Sequence, residues 1–301
     1  MKDLSGVPVS VLEKHLNDKI TAAVRMATGS CSVNYRLQTK RGFYLIKFIA
    51  QARVPRDRRE RVWHNIRALS DFDLGPHLAL QTTFTHGPWD ILILKWVNGQ
   101  SVFINQLDNQ HLDDLIATYL DMTDTFQEHK SEMHVAPGDD WLHIYNTLHT
   151  DKRYHPILQD MDAKDLIYRD HLTSVIHGDF HYKNLIFQGQ DLSGILDFEE
   201  LKIGYPTEDL IRLILTNKEH HCFIYPGKLR FTLRLLKHLI EKTSYTRHQW
   251  MLGLNAFILT KGYKKFRSSK HFSFRDMLCL RLDAHTYRCC RKYIIKYTQP
   301  I

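Results

Sequence analysis

Short apolar-rich runs at residues 20–26 and 33–38 bracket a turn of small residues, Ala27-Thr28-Gly29-Ser30, and read as two strands. A third run, 43–48, follows the Arg41-Gly42 turn and predicts a hairpin partner. Between 56 and 70 the period lengthens. Val62, Ile66 and Leu69 recur at helical spacing inside a charged stretch, which predicts an amphipathic helix. Apolar strands at 78–84 and 91–97 flank Thr85-His86-Gly87-Pro88, another turn signal. The first ninety-six residues thus predict a five-stranded antiparallel sheet with one helix packed on it. After Asn98-Gly99 the pattern changes. Residues 108–130 and 140–170 read as helical, with acidic surface positions at Asp108, Asp113, Asp114, Asp121, Asp124 and Glu128. Short strands are expected at 175–176, 185–187 and 194–196, and helix again from Pro206 onward. The fold class expected is α+β, with a sheet-rich domain over residues 1–97 and a larger, mainly helical one over 98–301.

Composition narrows the class. With 301 residues, 43% of them hydrophobic and 25% charged, the chain has the make-up of a soluble globule. No stretch approaches the roughly 20 apolar residues that span a bilayer, and Lys2, Asp3, Glu13 and Lys14 interrupt any signal-peptide pattern at the start. A cytoplasmic location is the expectation. The five cysteines (Cys31, Cys222, Cys279, Cys289 and Cys290) show no paired metal-site or redox spacing, and reduced thiols are expected. The formal charge of +8 is uneven: residues 261–301 hold eleven Lys or Arg against Asp276 and Asp283, which leaves residues 1–260 near neutral. That basic segment could meet an anionic partner or a membrane surface, or could be a solvated helical face. No recognised nucleic-acid module accompanies it, so no specific nucleic acid is expected.

The chemistry concentrates in Val175-Ile176-His177-Gly178-Asp179-Phe180-His181-Tyr182-Lys183-Asn184 and in Asp197-Phe198-Glu199-Glu200. A strand ends at His177, a tight turn presents Asp179, Asn184 arrives five residues later, and a second strand ends at Asp197. Phosphoryl transfer needs a carboxylate for the attacking hydroxyl and oxygen ligands that hold Mg²⁺ against phosphates. One Asp, one Asn and a second Asp on strand ends supply that set. His177, Asp179 and His181 could instead be metal ligands of a hydrolase, or polar residues that only stabilise a loop.

His177-Gly178-Asp179-x-His181-x-x-Asn184 resembles the catalytic loop of the aminoglycoside phosphotransferase, choline kinase and homoserine kinase superfamily, and Asp197-Phe198-Glu199 resembles its second metal-binding motif. Gly204-Tyr205-Pro206-Thr207-Glu208-Asp209-Leu210 is similar to a third motif, with Tyr205 in place of the usual Asp. The resemblance implies a bilobal, protein-kinase-like fold that uses ATP and Mg²⁺ to phosphorylate a hydroxyl of a small-molecule acceptor: an aminoglycoside, amino alcohol or sugar. It further implies Asp179 as the catalytic carboxylate, Asn184 and Asp197 as metal ligands, and Asp209 as a brace for the loop, with His177 structural and His181 at the edge of the site.

A kinase also needs a cation on the phosphates, positioned by a carboxylate. Lys47 stands in an otherwise apolar strand, and Glu60, thirteen residues on, is the expected partner, with Asp57 an alternative. Gly29 and Ser30 fall where a phosphate-covering loop is expected, although no GxGxxG and no Walker A sequence occurs. The hinge is expected over residues 94–99, with backbone groups from Lys95 to Val97 reading the adenine edge. A protein Ser/Thr kinase is an alternative, opposed by the missing Ala-Pro-Glu segment and the short span from Asp197 to Pro206. A non-catalytic nucleotide-binding scaffold is another, opposed by the presence of Lys47, Asp179, Asn184 and Asp197 together.

Overall fold

A computed structural model of the chain describes residues 2–26, 32–72, 80–161, 173–216, 226–268 and 274–298. Its first half runs β1 (Asp3–Leu4), β2 (Val7–Pro8), α1 (Val9–Leu16), β3 (Ile20–Arg25), β4 (Ser32–Thr39), β5 (Phe43–Ala50), α2 (Arg56–Asp71), β6 (Leu80–His86) and β7 (Trp89–Lys95). Then come α3 (Asn109–Glu128), α4 (Trp141–His149), α5 (His155–Leu158), β8 (Ser174–Ile176), β9 (Leu185–Gln188), β10 (Asp191–Ile195) and β11 (Lys202–Gly204). Four helices follow: α6 (Pro206–Leu215), α7 (Pro226–Lys242), α8 (Arg247–Ser268) and α9 (Phe274–Tyr297). Two compact units form. One holds Met1–Gln100, Ser131–His134 and Ile186–Glu199; the other holds Ser101–Lys130, Val135–Leu185 and Glu200–Ile301. The division is therefore not a single cut near residue 97. The later segment joins the first unit because Gln100 and Phe187 exchange two backbone hydrogen bonds of 2.9 Å. Gly99 permits this approach: its φ is +123°, and a Cβ there would lie 2.3 Å from the Phe187 carbonyl oxygen.

The first unit carries a five-stranded antiparallel sheet in the order β3-β4-β5-β7-β6. Side chains alternate across β5. Tyr44, Ile46 and Phe48 pack with Leu37, Ile91 and Ile93 against Leu12 and Leu16 of α1. Ile49 and Leu92 pack on the opposite face with Val54, Trp63 and Ile66, on the side of α2. Lys47 shares that second face, cross-strand from Leu92. Two helices, not one, serve this sheet. The sequence signal for α1 is only eight residues long, and its identity as a helix rests on burying Leu12 and Leu16 and on Asn17 ending it in a left-handed conformation (φ +50°). The strand expected at 91–97 spans Trp89–Lys95 instead, so Trp96 and Val97 lie beyond it.

In the second unit, β8 and β11 pair antiparallel, Ile176 opposite Lys202. The region expected as one helical stretch at 140–170 breaks after α4, where Asp151 accepts the Arg153 N–H at 3.0 Å and starts a 3₁₀ turn; residues 162–172 lie outside the described ones. Helix α6 packs against β8, α7 and α8 and is buried on every side from Thr207 to Ile214, charged residues included. Cys279, Cys289 and Cys290 are free thiols. On α9, Arg281, Arg288, Lys292 and Lys296 are exposed along one face, at helical spacing. No described helix is long and apolar enough to cross a membrane.

Candidate active site

Lys47 projects from β5 with only 14% of its side chain exposed, and an ammonium in such a place needs partners. Its Nζ donates to Asp197 Oδ1 at 2.8 Å and to Glu199 Oε1. Burial by itself pushes the lysine pKa down, but the Glu199 and Asp197 charges outweigh it and hold the group above the ordinary lysine range. Asp197 follows β10 at φ +68°, a left-handed conformation uncommon for any residue but glycine and best tolerated by Asp and Asn. A 3₁₀ turn, Phe198–Glu200, follows directly and brings Glu199 to the same ammonium. The carboxylate expected to face Lys47 is therefore replaced. Glu60 accepts from Arg56 at 2.6 Å, one turn earlier on α2, and its side chain is 62% exposed. The phase of α2 explains this, since Val62, Asn65 and Leu69 take the buried face. Asp57, the alternative, is likewise exposed, with Arg61 at 3.8 Å.

Of the remaining nucleotide-site residues, Gly29 and Ser30 lie outside the described residues. Lys95 ends β7 with an exposed side chain. The Trp96 N–H is already committed to the Phe43 carbonyl at 3.1 Å. Val97 packs against Gly194, where a Cβ would stand 2.7 Å from Val97 Cγ1.

The second unit builds the loop around Asp179. Gly178 follows β8 at φ +77°, and a Cβ would lie 2.1 Å from the Glu200 carbonyl oxygen, so only glycine fits. Below it, Asp209 of α6 is fully buried. Its Oδ2 accepts the His177 N–H at 2.8 Å, its Oδ1 accepts the Gly178 N–H at 3.1 Å, and the Tyr119 hydroxyl stands 3.4 Å away. Asp209 thus braces the loop from beneath. Burial pushes its carboxyl up to about 7, against the pull of Arg212.

Asp179 itself is held from several directions. The Asn184 amide nitrogen donates to the Asp179 carbonyl at 2.9 Å and reaches Oδ2 at 3.4 Å. The Lys183 N–H donates to His181 Nδ1 at 3.2 Å, which places the ring proton on Nε2, 3.3 Å from Asp179 Oδ2. Arg212 Nη1 lies 3.6 Å from Oδ1. Burial alone raises the Asp179 carboxyl, but the His181 hydrogen bond and the electrostatic pull of the two imidazoles and the Arg212 guanidinium outweigh it and hold it at about 2. Lys47 and Asp197 therefore meet within one unit, and Asp179 and Asn184 within the other.

Each unit, taken by itself, has an oxygen donor of the kind that hard divalent cations take. Asn184 has committed its amide nitrogen, leaving the amide oxygen, and Asp197 offers a carboxylate that is 43% exposed. A zinc centre on the two histidines finds less support: Nδ1 of His177 accepts the Asp179 N–H at 3.3 Å, Nδ1 of His181 is also in use, and no group of three His, Cys, Asp or Glu converges among the described residues. Sequence reasoning missed Glu199 as the lysine's partner, and it missed Arg212 with its neighbour Glu208. The signal for the latter was present, because Glu208 and Arg212 stand four residues apart in a helix whose remaining positions, apart from Thr207 and Asp209, are apolar.

Known structures resemble this fold at low sequence identity. A thermostable mutant of aminoglycoside phosphotransferase APH(4)-Ia, in a ternary complex with ADP and hygromycin B, matches with a TM-score of 0.58 and 10% identity, covering 95% of this chain and 98% of that one. The streptomycin–ATP ternary complex of APH(2")-IIa matches with a TM-score of 0.58 and 15% identity, over 95% and 99% of the two chains. Aminoglycoside phosphotransferase APH(3'')-Id from Streptomyces rimosus matches with a TM-score of 0.55 and 14% identity, over 83% and 96%. The bilobal kinase-like fold class holds. Comparison of the sequence with curated proteins finds no significant match. The profile of the phosphotransferase enzyme family matches residues 25–234, which take in strands β4 to β7 of the sheet, the Asp179 loop and the Asp197 turn; the chain belongs to that family.

Proposed function

We propose that this phosphotransferase moves the γ-phosphoryl group of ATP onto a hydroxyl of a small molecule of the aminoglycoside, amino-alcohol or sugar type. The observation that carries the reading is the Asp179 loop: a carboxylate fixed by Asn184, His181 and Arg212 and braced by Asp209. In this role Asp179 orients the acceptor hydroxyl and accepts its proton as the new bond to phosphorus forms. A carboxyl held at about 2 is a weak base. That suits a loose transition state, where orientation counts for more than early proton removal. Lys47 would take the α- and β-phosphates, with Glu199 in the positioning role first expected of Glu60. Adenine would be read by the backbone at Lys95 and Val97, since the Trp96 N–H is in use. Asn184 and Asp197 would hold Mg²⁺, which when bound neutralises charge on the phosphate oxygens. The ADP, ATP and aminoglycosides in the structural relatives are consistent with this assignment.

The test is direct. Saturating ATP with Mg²⁺ is expected to raise Tm through mass action, and a panel of amines, sugars and aminoglycosides is expected to contain an acceptor that consumes ATP. No thermal shift with millimolar Mg-ATP, together with no nucleotide protection of Lys47 from amine labelling, would sink the proposal.

A further inference from the structure

Five charged side chains of alternating sign run through the second unit toward Asp179. Lys202 Nζ lies 2.8 Å from Asp139 Oδ2 and 2.9 Å from Glu208 Oε1. Arg212 Nη2 lies 3.4 Å from the same Glu208 oxygen, and its Nη1 faces Asp179 Oδ1 at 3.6 Å. Glu208 is wholly buried and Arg212 is 9% exposed. Glu208 Oε2 and Arg212 Nε have no hydrogen-bond partner among the described residues. A pair buried like Glu208 and Arg212 is a poor stabiliser, because desolvating the charges costs about as much as their attraction returns, and apolar replacements of like volume do as well or better. Stability therefore does not account for it.

The surroundings fix where the guanidinium can go. Helices α6 and α8 meet at Gly253, where a Cβ would stand 2.3 Å from Thr207 Oγ1 and 2.7 Å from the Glu208 nitrogen. The Thr207 hydroxyl donates to the Gln249 carbonyl at 2.6 Å and locks the same crossing. One turn further along α8, the Phe257 ring lies 5.4 Å from Arg212 Cζ. Glu208 and Phe257 flank the guanidinium, and its Nη1 faces Asp179 Oδ1.

We propose that Arg212 is a positioning residue for Asp179, gripping Oδ1 so that the carboxylate keeps one rotamer while His181 holds Oδ2, and that Glu208, steadied by Lys202, aims Arg212. This rests on the reading of Asp179 as the catalytic carboxylate, but the grip itself can be measured without it. The experiment pairs Arg212→Met with Arg212→Lys and with the double variant Glu208→Met/Arg212→Met. Each is assayed for Mg-ATP hydrolysis, with water as the acceptor, for ATP affinity by calorimetry, and for Tm. Arg212→Met is expected to lower kcat about a hundredfold with the KM for ATP within twofold, and Arg212→Lys to restore about tenfold of that. The double variant is expected to keep Tm within a few degrees of wild type and yet stay as slow as the single one. A merely structural arginine would instead lose Tm and turnover together.

A crystal structure of Arg212→Met removes dependence on turnover. Rotation of the Asp179 carboxylate away from its place beside His181 supports the proposal. A carboxylate that stays put, or a kcat within threefold of wild type, overturns it. Calorimetry separates the two readings: wild type that binds no ATP contradicts the kinase assignment, whereas the rotamer of Asp179 judges Arg212 alone.

Discussion

The two polar clusters proposed to carry the chemistry are built in opposite ways. In the first unit a single cation, Lys47, sits between two carboxylates, one of which is 43% exposed. In the second unit a single carboxylate, Asp179, sits among His181, Arg212 and the Asn184 amide, with the supporting Glu208 and Asp209 fully buried. In the function proposed above, Asp197 and Glu199 would release the ammonium to phosphates, and Asp197, the more exposed of the two, would turn to a metal. In the second cluster Asp179 is itself 33% exposed, but Glu208 and Arg212 behind it are buried, and separating that pair would leave a desolvated charge. The first arrangement suits a part that must respond to a nucleotide, and the second a part that must already be in place.

The largest effect should break the second cluster. Asp179→Asn keeps the shape and removes the charge, and kcat is expected to fall by about 10²–10⁴-fold with ATP affinity unchanged. Steady-state kinetics with an ATP titration measure both quantities; a rise in KM alone would move Asp179 from catalysis to binding. The next effect tests whether the first cluster exchanges. Lys47→Met removes a charged hydrogen-bond donor worth about 1.5–3 kcal/mol, so ATP Kd is expected to rise about tenfold to a hundredfold. In the same calorimetric series Glu60→Gln should change Kd by less than about twofold, since its exposed pair with Arg56 is worth about 0–1 kcal/mol. Equal losses from the two variants would return Glu60 to the site.

The smallest effect concerns the brace. The folded pKa of Asp209, about 7, lies above its ordinary value of 3.8. A raised carboxyl contributes stability that is complete below the unfolded value and is lost as pH rises through the folded one. Asp209→Asn keeps an oxygen for the His177 and Gly178 amides and cannot ionise. The Tm of wild type minus that of the variant is therefore expected to fall steadily between about pH 4 and pH 8. A difference that stays flat over that range would mean that the buried carboxylate is fully stabilised as an anion by Arg212 and Lys202.

How far these clusters could be read beforehand differs between them. Lys47 was legible because a charge in an apolar strand is conspicuous, but its partner was not. Spacing along α2 offered Glu60, whereas helix phase turned that residue to solvent and a left-handed turn at Asp197 brought in Glu199, 152 residues away. The Asp179 loop was legible as a motif of closely spaced residues. Its dependence on Arg212 was not, since that contact exists only because α6 runs beneath β8.

By itself, the amino-acid sequence determined the local matters: the short apolar runs that make β4, β5 and β7, the Gly178 turn that presents Asp179, and the order of motifs that marks a phosphotransferase. These depend on neighbours a few residues apart, through φ/ψ limits and side-chain period. Tertiary structure alone decided which carboxylates meet Lys47, where the chain's two compact units divide, and why α6 buries three charged residues in its interior. Burial is a property of the packed whole. A charge such as Arg212 becomes a fixed device only when distant segments have removed water from around it and set it between Glu208 and Asp179.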